Sequence, residues 1–90
     1  MIIKIKPVAP VIPSVVTMRQ ARMALLQAGK LAKVEAAIQA LPSPQKEAAL
    51  IEWDYSSEVH RNNPFVQMLA SAINLSVAEM DALFVTASAL

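Results

Sequence analysis

Along the chain, apolar residues recur at steps of three and four in five stretches, and turn-forming residues separate them. Thr17 and Gln20 have the spacing of a capping box and Gly29 can close the stretch, which predicts a helix over 18–28 with Met18, Ala21, Leu25 and Ala28 on one face. Leu31, Val34, Ile38 and Leu41 continue the rhythm as a second helix over 31–40. Pro42 stops it, because the residue before a proline is pushed out of the helical region. Ser43 as cap and Pro44 at the first position open a central helix, read over 44–61. On it Ala48, Ile51, Tyr55 and Val59 make the apolar face, with Trp53 on a neighbouring stripe. Asn62-Asn63-Pro64 ends that helix and starts a fourth over 64–73. Ser76 with Glu79 is a second capping box, opening a last helix over 77–88 whose tail is apolar nearly all round.

The first residues follow a different pattern. Ile and Lys alternate loosely over 2–6, as in a short strand, and Pro7, Pro10 and Pro13 then deny ladder hydrogen bonds and favour extended backbone. The sequence therefore divides into an extended N-terminal arm, 1–16, and a helical domain, 17–90. The expected fold class is all-α, a small bundle of about five short helices behind a Pro-rich arm.

Composition adds an expectation of association. Hydrophobic residues make up 56% and charged residues 17% of the 90, against about 45–50% and about 25% in typical soluble domains. That is more apolar surface than a small monomer readily hides, and contiguous apolar patches mark protein contacts. The surfaces expected to be left over are Ile2, Ile3, Ile5, Val8, Val11 and Ile12 of the arm, together with Phe84, Val85 and Leu90 of the last helix. Trp53 and Tyr55, two residues apart, point to opposite sides of a helix, so both hardly fit one small core. Either Trp53 anchors the core with Tyr55 half exposed, or one of the pair is an aromatic anchor at an interface. A homo-oligomer or a complex with another protein follows.

Charge and chemistry narrow the function classes. The net charge of +1 provides no global field for nucleic acid or an acidic membrane, and Arg19, Arg22, Lys30 and Lys33 are the only candidate contacts for such a role. With no Cys and one His, disulfides, thiolate catalysis and a histidine-rich metal centre are not expected, and no cofactor is. Glu52, Asp54, Glu58 and His60 cluster in sequence. On a helix only Asp54 and Glu58 of the acids share a side, and pairing of Glu58 or Asp54 with Arg61 or His60 is the expected outcome. One Gly leaves no phosphate-cradling loop and no nucleophile sits with a base, so the chain is expected not to be an enzyme. The start is not read as a signal peptide, since lysines and prolines interrupt it. The longest charge-free interval, 62–78, falls short of the ~20 apolar residues that span a bilayer, so a soluble protein with no membrane partner is expected.

Three segments carry a resemblance: RQAR-x-ALL-x-AG-x-L at 19–31, IEWDY at 51–55 followed by Val59 and Arg61, and L-S-x-x-E-x-D-x-L-F at 75–84. In these, residues 17–90 resemble small all-helical proteins encoded among the tail genes of tailed bacteriophages and prophages. The resemblance implies a virion or tail-fibre accessory protein, found in the virion tail or in the host cytoplasm during assembly, and brings no catalytic residues. The leading expectation is a non-enzymatic tail component that packs against copies of itself or against a tail-fibre or baseplate protein, with the arm as tether. The alternatives are an assembly chaperone that leaves before the virion is finished, and a small DNA-binding or host-inhibitory phage protein.

Overall fold

The computed structural model describes residues 12–90. In chain order these form β1 (Val15–Thr17), α1 (Met18–Gln27), α2 (Leu31–Gln39), α3 (Gln45–Tyr55), β2 (Glu58–His60), α4 (Pro64–Ala72) and α5 (Val77–Ser88). The body is all-α apart from one two-stranded antiparallel ladder.

Most helix ends follow from contacts within a few residues. Thr17 Oγ1 accepts from the Gln20 N–H at 3.1 Å while Gln20 Oε1 accepts from the Thr17 N–H at 2.9 Å, so both orphan donors at the start of α1 are satisfied. Gly29 at φ 71° turns the chain out of α1, and the Lys30 N–H closes onto the Leu25 carbonyl at 2.8 Å. Asn63 caps α4 through the Phe65 N–H at 2.8 Å, with Pro64 at the first helical position. Asn74 at φ 58° ends it, with Leu75 N–H on the Ala70 carbonyl at 2.8 Å. The second capping box opens α5: Ser76 and Glu79 exchange backbone-to-side-chain bonds, each of 3.1 Å. The Ser76 amide, then its hydroxyl and the charge of Lys30, hold the Glu79 carboxyl below its usual range.

The central helix departs from expectation at both ends. It begins at Gln45, after a cis Ser43–Pro44 bond, and Ser43 does not cap it: its hydroxyl donates to the Glu47 carboxylate instead. It stops at Tyr55 and not near Arg61. Ser56 turns extended (φ −72°, ψ 132°), and Glu58–His60 pair with Thr17–Val15 in the register Val15↔His60, Val16↔Val59, Thr17↔Glu58. Met18 N–H to the Ser57 carbonyl (2.9 Å) and Arg61 N–H to the Ser14 carbonyl (2.8 Å) extend the ladder at both ends. Continued as helix, residues 56–61 would leave β1 without its partner. The pairing instead seats Val16, from the end of the expected arm, inside the core.

Two apolar clusters form that core. One joins Val16, Ala24, Val66, Ala70, Met80, Phe84 and Ala87, from β1, α1, α4 and α5. The other joins Val34, Ile38, Ala49, Trp53 and Leu69, from α2, α3 and α4. Alanines at 24, 70 and 87 let the helix backbones approach closely, and α1 packs most extensively on α5. Arg61 Nε meets Asp81 Oδ1 at 2.9 Å and its guanidinium lies 5.9 Å from the Phe84 ring centre, which ties the end of β2 to α5. Among the described residues every buried side-chain polar atom has a partner.

Candidate interaction surface

Trp53 decides which side of α3 is inside. It is 6% exposed, packed with Val34, Ile38, Ala49 and Leu69. Arg22, reaching across from α1, covers it: the guanidinium carbon lies 4.4 Å from the ring centre, Nη2 donates to the Trp53 carbonyl, and Asp54 Oδ1 is 3.8 Å away. With Ala49 and Trp53 turned inward, the stripe expected to be the buried face lies on the outside. Ala48 is exposed, Ile51 is 59% exposed and Tyr55 is 81% exposed. Both sides of α3 carry apolar residues, and the side with the indole buries the larger area. Val59, expected on the same stripe, belongs to β2 and packs against the first cluster.

The expected contact residues fall into three groups. Tyr55, Ile12 and Val85 are exposed, and Leu90 is half-buried against the first cluster, its carbonyl 3.5 Å from Arg19 Nη1. Trp53 and Phe84 are core residues, so they present no surface to a partner: each is the large side chain around which its cluster packs. Ile2, Ile3, Ile5, Val8 and Val11 lie outside the described residues. Among the described residues, sequence reasoning missed six large exposed apolar side chains, of which Leu26, Ile51 and Val77 are the most open and Val15, Met23 and Met68 the least. For Ile51 the signal was present, since its spacing of four from Tyr55 already put the two on one side.

The acidic stripe flanks are ordered by hydroxyls. Ser43 Oγ donates to Glu47, and Ser56 Oγ donates to Glu52 Oε2 at 3.1 Å. Asp54 faces Arg22, and His60 Nε2 lies 3.8 Å from Glu58 Oε1, both exposed. Of the expected pairings Glu58 with His60 forms, whereas Arg61 goes to Asp81 and Asp54 to Arg22. Glu52, Asp54, Glu58 and His60 thus engage separate neighbours. No group of three or more His, Asp or Glu among the described residues is placed to hold a metal ion. Arg19 and Arg22, read as possible phosphate contacts, are both turned onto carbonyl oxygens of this chain.

A narrow apolar cavity of about 90 Å³ lies between the two clusters, with Met80, Phe84 and Trp53 among its walls and Glu52, Ser56, Glu58 and Asn63 at its polar margin. No single described helix is long and apolar enough to cross a membrane. Comparison with known protein families, with characterised proteins and with solved structures finds no match for this chain.

Proposed function

We propose that this chain is a non-enzymatic bacteriophage tail component, a small interaction module that associates with itself or with a tail-fibre or baseplate protein. One observation carries the association: a folded body that buries Trp53 and Phe84 still turns Ala48, Ile51 and Tyr55 outward along one helix. Exposed aliphatic and aromatic side chains in a row on a regular helix are what a partner surface offers, and Tyr supplies contact area at low entropy cost. The tail assignment rests on the resemblance of residues 17–90 described above. The scattered, separately paired acids and the lone His support a binding role over a catalytic one.

Mass spectrometry of purified particles tests the reading. Stoichiometric presence of the chain in tails supports it. Absence from particles, with recovery of the chain on a fibre or tape-measure protein from infected cells, replaces it with the assembly-chaperone role.

A further inference from the structure

The outward side of α3 and the N-terminal arm are complementary in charge and in spacing. Looking down the helix, Ile51, Tyr55 and Ala48 span an arc of about 60°. Glu47 and Asp54 flank that arc on one side and Glu52 on the other, while Lys46 lies on the half-buried opposite side. Arg22 compensates Asp54, but Glu47 and Glu52 have no ion-pair partner among the described residues. Of the four aromatic side chains only Tyr55 is exposed.

The arm has the opposite character. It carries Lys4 and Lys6, and no acid precedes Glu35. Its prolines stand at every third position, 7, 10 and 13, the period of the left-handed polyproline helix. In that helix Ile2, Ile5, Val8 and Val11 share one edge. A three-residue step advances about 9 Å, close to the roughly 10 Å from Ala48 to Tyr55 along α3. Such segments are preformed, lose little entropy on docking and favour surfaces that bear an aromatic ring.

We propose that the arm of a second copy docks on the Ala48–Ile51–Tyr55 stripe, with Ile5 and Val8 against its Ala48 and Tyr55 ends and the two lysines among Glu47, Glu52 and Asp54. Ser14 lies opposite Arg61, at the end of the ladder remote from Tyr55, which favours a second copy as the donor. Closely spaced prolines stiffen a chain against doubling back. Reciprocal exchange of arms closes a two-fold dimer and covers both apolar stripes. This deepens, and rests on, the reading of the chain as an interaction module.

The test uses the full chain. Sedimentation equilibrium should find a dimer whose dissociation constant rises by about tenfold or more in Ile51→Ser/Tyr55→Ser and in Lys4→Glu/Lys6→Glu. Adding Glu47→Lys/Glu52→Lys to the arm variant should restore association, and far-UV circular dichroism checks that each variant folds. In a mixed sample of labelled and unlabelled protein, NMR should show Ile5 or Val8 methyl contacts to the Tyr55 ring between chains. A monomer, a dimer indifferent to these substitutions, or contacts that arise within one chain would overturn the proposal. A monomeric chain nonetheless stoichiometric in purified tails overturns the arm exchange and leaves the tail assignment standing. A dimer with these contacts that is absent from particles supports the exchange and removes the tail assignment.

Discussion

Replacing Trp53 by alanine is the most informative single perturbation of this fold. The indole is 6% exposed and is the largest side chain of the second cluster. Burying about 200 Å² of aromatic side chain at about 25 cal/mol per Å² stabilises by about 5 kcal/mol, an upper figure because unfolded chains already hide part of that area. Trp→Ala in a core costs about 3–5 kcal/mol including the cavity left behind. Total stability for domains is about 5–15 kcal/mol, and one this small belongs at the lower end, so Trp53→Ala should sit close to its unfolding transition at physiological temperature. The bond from Arg22 to the Trp53 carbonyl survives, since its acceptor is main chain, while the stack at 4.4 Å is lost. A cycle of Trp53→Ala, Arg22→Ala and the double variant should therefore return a coupling of about 0.5–1 kcal/mol, the value of a half-exposed cation on an aromatic face. Urea denaturation followed by far-UV circular dichroism is the assay, because Trp53 is the only tryptophan and the variants lose its fluorescence. A loss below about 1 kcal/mol for Trp53→Ala would refute the placement of the indole in the core.

Other consequences are smaller. Ile51→Ser and Tyr55→Ser, at exposed positions, should each leave stability within about 0.5 kcal/mol of wild type in the same urea assay run at a protein concentration where the chain is monomeric; a larger loss there would mean the stripe packs within the chain. Gly29→Ala should cost about 1 kcal/mol, since φ is 71° and a Cβ there meets nothing within 4 Å, so backbone strain is the only penalty. Its check is the thermal midpoint, and an unchanged or raised value would contradict the left-handed turn. Glu79 has its carboxyl pKa lowered in the folded chain, chiefly by the Ser76 amide. Its contribution is therefore present above the unfolded carboxylate pKa and is lost as pH falls through the lower folded value. Stability should decline over that acidic window, and Glu79→Gln should flatten the decline; identical pH profiles for the two proteins would count against the capping-box assignment.

Where the chain bends was written in nearby residues. Thr17 with Gln20, Ser76 with Glu79, Gly29, and Asn63 before Pro64 each act on backbone groups within a few positions, so their hydrogen bonds are available whatever the rest of the chain does. The five-helix, all-α body follows from those signals and the apolar rhythm between them. What required the tertiary structure was every choice between locally equivalent options. Residues 56–61 can continue a helix on local grounds, and only a strand some forty residues earlier makes extended backbone the better state for Glu58–His60. The two sides of α3 are both apolar in the sequence. The choice between them came from Arg22, 31 residues away, and from the cluster ready to receive the indole, which left Ile51 and Tyr55 outside. Arg61 likewise had acids close by in sequence but found Asp81, 20 residues on, because β2 and α5 meet there. Local hydrogen bonds depend on spacing along the chain, whereas burial and long-range pairing depend on which surfaces meet, and α3 acquired an outward apolar face only when the whole body had packed.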